Sequence, residues 1–426
     1  MKIIAQGGSR GRVQVAGFAF FLVSFLNASE PIDLLYEDLP KWTKSGNLSI
    51  KSSQAHFIGS QRRTHHLARS FSPTVKLEAG YELFKTGLYE TKTQPYGDLE
   101  ARLNIFRGRR DLYEENIRFA QSESLAAIAA KNYRSELLAA RKLFWDLVFS
   151  REVTKMMKEF VIQNEKNITA STSRINRGLT TDSDRLGFQM MDLRMKEEME
   201  SQHHETILIQ ADLAPLLGQS GGSVFNTIEA IAHAHDDHIL NEVPSHESVP
   251  DLVGAHSNRQ VAEWQRKTAA SYWRPSIDLY GGYYLYTLRE RESFQRKNRD
   301  DTAVGVKASL PLFDGFQSKN NAMSLEKQTE AYAFQVEYLE AKTKSILFVL
   351  KEELRHLDEL VHSSEKQVEM GKTYLLQIMG EYNRGVKNAP DVLDALEKIV
   401  ALKHEYAERR RDYKKTEAAL LEVLGN

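Results

Sequence analysis

The stretch Tyr382-Asn383-Arg384-Gly385-Val386-Lys387-Asn388-Ala389-Pro390-Asp391-Val392-Leu393-Asp394 decides how the chain folds. It reads as a tight turn between two long helices. Asn383 and Gly385 tolerate the left-handed backbone that ends a helix. Pro390 suits the first turn of the next helix, where a missing N–H costs nothing. Asp391 and Asp394, three residues apart, share one helical face. The earlier segment Asn176-Arg177-Gly178-Leu179-Thr180-Thr181-Asp182-Ser183-Asp184-Arg185-Leu186 has the same outline at an offset of 207, with Asn-Arg-Gly recurring and an Asp-x-Leu at the same distance. The copies differ at one place: Asp394 has Gly187 as its counterpart, so only the second turn carries paired carboxylates.

The flanks of both turns extend the pattern. No proline occurs from Phe106 to Ala214 or from Phe316 to Tyr382, and Leu, Ala, Met, Arg, Lys and Glu dominate both stretches. A helix of about 65 residues is on the order of 100 Å long, which demands coiled-coil-like partners. Two strand pairs precede the helices. Val75, Leu77, Ala79, Tyr81 and Leu83 alternate with Lys76, Glu78, Gly80 and Glu82, and Leu99, Ala101, Leu103 and Ile105 alternate with Glu100, Arg102 and Asn104. Ile277, Leu279, Gly281, Tyr283 and Leu285, then Val304, Val306, Ala308, Leu310 and Leu312, repeat the programme.

From Leu103, Phe106 and Gly108 onward the halves align at an offset of 207 with Leu310, Phe313 and Gly315. Upstream, Pro73, Gly80 and Tyr81 match Pro275, Gly282 and Tyr283 at an offset of 202. The chain is a tandem duplication of strand, strand, long helix, turn, helix. The expected division is a signal peptide over residues 1–28, an N-terminal periplasmic segment over 29–72, a first repeat over 73–218, an equatorial linker over 219–272 and a second repeat over 273–426. The first repeat should hold strands near 75–84 and 98–106 and helices near 107–176 and 184–217. The second should hold strands near 276–286 and 302–312 and helices near 316–383 and 390–424. Ile32, Leu34, Leu35 and Leu39 suggest a short helix, a second is expected from about Ser52 to Arg69, and helix resumes near Asn258 after a loop-rich region.

Composition narrows the class. The 426 residues carry a formal net charge of −1, which gives no general case for nucleic acid binding. The absence of cysteine leaves neither disulfides nor thiolate metal sites. Lys2, Arg10 and Arg12 precede the apolar run 13–26, which ends near Ala28, the pattern of a secretory signal peptide with export to follow. Four amphipathic strands cannot close a barrel alone, and an open edge is not tolerated in lipid. Three copies would supply twelve strands, an even number in the usual range. The alternative is an exported long coiled coil that spaces or tethers the envelope without a pore; it accounts for the helices but not for the duplicated two-faced strands.

With Pro73 and Pro275 ahead of the strands, Leu310-Pro311-Leu312-Phe313-Asp314-Gly315 after the fourth, the paired Asn-Arg-Gly turns and the closing Leu216-Leu217-Gly218 and Val423-Leu424-Gly425, the mature chain resembles the outer-membrane efflux protein family, the TolC-like outer-membrane channels. The resemblance implies a mostly α fold with a membrane β-barrel portion: a homotrimer with a 12-stranded β-barrel in the bacterial outer membrane and a periplasmic α-helical barrel. It implies a non-enzymatic exit duct without cofactors. The duct would serve a tripartite efflux pump or a type I secretion system, working with a periplasmic adaptor (membrane fusion) protein and an inner-membrane pump or ABC exporter.

The resemblance also implies site residues. Asp391 and Asp394 would line a constriction at the periplasmic tip, although a carboxylate at 391 also suits a plain helix N-terminus. Tyr382 and Lys387 would latch the tip to the neighbouring turn near Ser183 and Asp184. Lysine stands at 387 where the family more often has arginine, so a bidentate tie is lost. The turns at Arg177, Gly178 and Leu179 and at Arg384, Gly385 and Val386 would receive the adaptor. His233, His235 and His238 are the one cluster with metal-ligand types at close spacing, and a solvated loop is the plainer account of them. Met190, Met191, Phe334 and Phe348 are expected to pack between helices.

Overall fold

The computed structural model describes residues 31–84, 92–178, 180–227, 229, 231, 240–244, 249–289 and 296–425. The signal-peptide expectation and the histidine cluster therefore lie outside the described residues.

A short strand, β1 (Ile32–Leu34), leads through a single 3-10 turn into helices α1 (Leu39–Gly46), α2 (Leu48–Gln61) and α3 (His66–Ser70). Strands β2 (Thr74–Phe84) and β3 (Lys92–Arg107) follow, then the long helix α4 (Arg110–Asn176) and the shorter α5 (Asp182–Leu216). Strand β4 (Phe225–Thr227) and helix α6 (Pro250–Ala270) occupy the middle of the chain. The second repeat consists of β5 (Ser276–Arg289), β6 (Arg296–Ser309), α7 (Gln317–Asn383) and α8 (Ala389–Leu424).

The duplication is visible in the backbone. Helices α4 and α7 are both 67 residues long, and their first residues, Arg110 and Gln317, keep the same offset as the two turns. Each is preceded by a glycine and then a non-glycine residue in the left-handed region: Gly108 and Arg109 at φ 63° and 68°, Gly315 and Phe316 at 66° and 65°. Upstream, α2 and α6 start at Leu48 and Pro250, and β2 and β5 at Thr74 and Ser276, which is the offset of the strand motifs.

The N-terminal segment differs from expectation. Residues 32–34 pair in parallel with Phe225–Thr227 as strand rather than helix, because the linker offers them a strand partner. The helix expected over 52–69 is two helices, α2 started by Asn47, whose side chain accepts from the N–H groups of Ser49 and Ile50. Helix α6 begins at Pro250, earlier than expected, and β6 ends at Ser309 rather than near 312.

The four long strands form one antiparallel sheet in the order β2-β3-β5-β6. Residues directly opposite one another share a face, so the register fixes both faces. One carries the rows Leu77, Leu99, Tyr283 and Thr302, then Val75, Ala101, Gly281 and Val304, then Leu103, Leu279 and Val306. The other carries Lys76, Glu100, Gly282 and Ala303, then Glu78, Asp98, Tyr284 and Asp301, then Asn104, Asp278 and Lys307. The largest core lies elsewhere, among α4, α5 and α8, around Phe144, Leu147, Phe188, Leu213, Leu396 and Ile399.

Candidate functional site

Two features carry functional content: the open sheet at one end of the long helices and the pair of helix turns at the other. The sheet leaves its apolar face uncovered. Val75, Leu77, Tyr81, Val304 and Val306 are all more than 60% exposed. Apolar surface of this extent across four strands is the surface of a protein that meets lipid or another protein. Both outer edges, on β2 and β6, are unpaired among the described residues. On the polar face, tyrosines lie over glycines: a Cβ on Gly80 would sit 3.0 Å from the Tyr96 hydroxyl, and one on Gly305 2.9 Å from that of Tyr280. The glycines leave room for these rings to lie flat along the sheet. Among the described residues no helix is long and apolar enough to cross a membrane, which says nothing of strands.

At the turns, Gly178 and Gly385 take φ 72° and 82°, and nothing lies within 4 Å of where a Cβ would stand. Glycine is needed there for conformation, not for space. The turn tips project freely: Arg177 folds back on Ser173, and Val386 is 70% exposed. Leu179 lies outside the described residues.

Asn388 caps α8. Its side chain accepts from the Asp391 N–H at 3.3 Å, and the Asp391 carboxylate accepts from the Asn388 N–H at 3.2 Å, a reciprocal capping box. Lys387 Nζ lies 3.5 Å from the same carboxylate. Asp394 pairs with Lys398 at 2.7 Å, and the hydrogen bond from this lysine to the carboxylate raises the lysine's pKa. Both carboxylates thus have a lysine of their own chain. Between α5 and α8, Arg194 meets Glu397 at 3.0 Å. A Cβ on Gly187 would lie 2.9 Å from Leu393 Cδ1, so the glycine that replaces an aspartate in the first copy lets α5 and α8 approach closely.

Tyr382, at the end of α7, is only 5% exposed. The Arg174 guanidinium carbon of α4 sits 4.3 Å from its ring centroid, and Arg174 Nη1 donates to the Tyr382 carbonyl at 2.5 Å. The Phe188 ring meets Tyr382 edge-on at 6.3 Å. Burial pushes the phenol above its ordinary pKa, with Arg174 opposing, and the hydroxyl has no hydrogen-bond partner among the described residues.

The expected ties from Tyr382 and Lys387 to Ser183 and Asp184 are not made within this chain. Ser183 bonds Thr181, Asp184 accepts from Thr180, and Lys387 turns to its own Asp391. Short local pairs form at lower entropic cost than a bond across two turns. The residue that ties the end of α4 to the end of α7 is Arg174, which the sequence reading missed. Its one signal was a position two residues before the Asn-Arg-Gly turn.

Among the described residues no group of three or more His, Asp or Glu is placed to hold a metal ion. Met191 is buried, as expected, but Met190, Phe334 and Phe348 are 67%, 61% and 67% exposed, so in the single chain they do not pack between helices.

Comparison with known proteins agrees with the resemblance read from the motifs. Residues 245–426 match the model of the family described as outer membrane efflux protein. A search of curated proteins found no match. Among solved structures, the outer membrane protein VceC from Vibrio cholerae superposes with a TM-score of 0.76 at 15% identity, covering 92% of this chain and 96% of that one. The outer-membrane channel OprN does so at 0.74 and 16%, covering 92% and 89%. The MtrE outer membrane channel of Neisseria gonorrhoeae, in its open state, does so at 0.72 and 15%, covering 92% and 89%. The class is therefore set: the chain has the fold of the TolC-like outer-membrane channel proteins. In sequence, residues 245–426 match the model described as outer membrane efflux protein as well.

Proposed function

We propose that this chain is the outer-membrane exit duct of a tripartite efflux pump or a type I secretion system. Three copies would form a passive channel with no chemistry of its own. The observation that carries this reading is the exposed apolar face across β2, β3, β5 and β6, ending in two unpaired edges. In lipid each unsatisfied backbone group costs several kcal/mol, so a four-stranded sheet must close with other copies. Strand β2 has 11 residues, and at ~3.4 Å per residue and a ~45° tilt it rises about 26 Å, the height of an outer-membrane apolar band. The polar face then lines the lumen.

The helix turns form the periplasmic mouth in this reading. Asp391 and Asp394 of three copies ring the constriction, with Lys387 and Lys398 beside them as counter-charges. Tyr382, held by Arg174, fixes the end of α7 in the closed state, and Ser183 and Asp184 flank the same mouth on the first turn. The projecting turns at Arg177, Gly178 and Leu179 and at Arg384, Gly385 and Val386 meet the periplasmic adaptor, and an inner-membrane pump or ABC exporter supplies the energy. The open space around both turn glycines and the exposure of Val386 support that role.

Single-channel recording in a planar bilayer, on protein first shown by gel to be a heat-resistant oligomer in detergent, tests the reading. Discrete conductance steps are expected. Protein that leaves membranes in high salt without detergent and yields no conductance would refute it.

A further inference from the structure

We propose that the groove between α4 and α5 at Arg151, Lys155, Lys158 and His203 binds a phosphate-type oxyanion. The site stands apart from the duct: it rests on a cavity that is open in one repeat and filled in the other.

The two repeats build the same helix–turn–helix pair, α4 with α5 and α7 with α8, at an offset of 207. In the second pair, Val361 and Tyr413 are 1% and 3% exposed and lie in one apolar cluster. Their counterparts in the first pair are Thr154 and Thr206. Both side chains are shorter, and a groove of about 310 Å³ opens with the two threonines in its lining. That volume falls at the lower end of small-molecule sites. Arg151, Lys155, Lys158 and His203 complete the lining, and no described carboxylate contributes to it.

The helix pair does not need these charges. In the second repeat, Asp358, His362 and Glu365 stand where the first has Arg151, Lys155 and Lys158. The same scaffold accepts either sign, so packing does not select the cations. They are also unfavourable in themselves. Arg151 and Lys155 are four residues apart and Lys155 and Lys158 three, so three positive charges share one face of α4 and repel one another. Lys155 and Lys158 make no ion pair among the described residues, and Glu152, one turn before Lys155, turns to Arg410 of α8. Burial lowers the pKa of the Arg151 guanidinium, and no carboxylate opposes that effect.

The arrangement suits an oxyanion. Arg151 is held in place: it donates to Asn226 Oδ1 at 2.8 Å and to the Phe225 carbonyl, so it presents a fixed charge where β4 meets α4. The Thr154 and Thr206 hydroxyls donate to the Ser150 and Gln202 carbonyls at 2.8 Å, and so shape the wall rather than supply donors. Donors come from the two exposed lysines of α4 and the exposed His203 ring of α5. Three permanent cations around one groove match a phosphate, with a charge of about −1.5 to −2 and three acceptor oxygens, better than a singly charged carboxylate. The groove begins 41 residues down α4 from Arg110, about 60 Å from the sheet at ~1.5 Å per residue. A lipid headgroup at the sheet cannot reach it, so the phosphate is a free ion or an ester in solution.

Thermal unfolding of the full-length protein in detergent, at constant ionic strength, tests the site. Inorganic phosphate should raise the unfolding temperature of the wild type along a saturating curve, and acetate should not. Without phosphate, Lys155→Gln/Lys158→Gln should unfold no lower than the wild type, because like charges have been removed. It should need at least roughly tenfold more phosphate for the same rise. Glucose 6-phosphate is the second probe. Half-saturation below that of inorganic phosphate identifies an esterified ligand, and half-saturation at or above it a free ion. No phosphate response in the wild type, an equal response in the double variant, or an acetate response equal to that of phosphate overturns the proposal and leaves the duct intact.

Discussion

In the duct proposed above, replacing Arg174 by glutamine separates two ways in which Tyr382 would hold the mouth shut. In the structure the tie is made by the arginine: a guanidinium over the ring at 4.3 Å and a 2.5 Å hydrogen bond to the backbone carbonyl. A partly desolvated cation–π contact is worth about 0.5–2 kcal/mol, and a hydrogen bond from a charged donor about 1.5–3 kcal/mol. The two share one side chain and do not add, so the expected loss is about 2 kcal/mol per copy. At about 1.4 kcal/mol per factor of ten, the held state of each copy should weaken roughly 30-fold. Tyr382→Phe keeps the ring and the carbonyl and removes a buried hydroxyl with no partner among the described residues. It should be neutral, or should tighten the tie slightly by deleting an unsatisfied group. Open probability in a planar bilayer is the assay, with a thermal melt to confirm that each variant folds. Arg174→Gln should open the channel, and Tyr382→Phe should leave it closed. If Tyr382→Phe opens it as strongly as Arg174→Gln, the reasoning fails, and the hydroxyl must act in a bond to a neighbouring copy.

Three further outcomes follow from named contacts. Asp394→Asn should lower cation preference in reversal-potential measurements, whereas Lys398→Met should raise it, because the lysine at 2.7 Å offsets the carboxylate. Arg110→Ala removes the donor to the Tyr272 carbonyl that joins the repeats and should cost about 1.5–3 kcal/mol, read as a lower melting temperature without change in ion selectivity. Asn47→Ala deletes both the cap of α2 and a 2.8 Å hydrogen bond to Glu136; loss of the cap alone should cost about 1 kcal/mol in a denaturant titration.

Much of the fold was legible because it is written twice. Turn residues such as Gly178 and Gly385 announce themselves chemically, since few other residues accept a positive φ. The period-2 strands and proline-free helices are strong local signals. Legibility failed where a partner decided the outcome. Residues 32–34 read as helix from the apolar Ile32, Leu34, Leu35 and Leu39, but the linker strand Phe225–Thr227 recruits them into a parallel pair. Phe334 and Phe348 read as packed because they are large and apolar, yet the flank they occupy has no cover within one chain. Arg174 stayed invisible because an arginine near a helix end is ordinary in any sequence. Only the arrival of Tyr382 from the far end of the second repeat gives it a role.

The asymmetry between the two turns acquires a physical meaning once both are seen together. Had the duplication stayed perfect, an aspartate at 187 would press its side chain against Leu393, setting a carboxylate into an apolar contact. Burying such a charge is costly unless it is paired. Glycine at 187 removes that cost and draws α5 against α8, while Asp394 stays on the outer surface of α8 with Lys398 one turn away. The same exchange therefore tightens the α5–α8 contact and leaves the carboxylates on one turn only. Because each of those carboxylates carries its own lysine, the charge at the mouth of the duct proposed above would be set by a near-balance. In that proposal, a contact that draws off one lysine, such as an acidic side chain of an adaptor, would expose the carboxylates' negative charge without moving a helix.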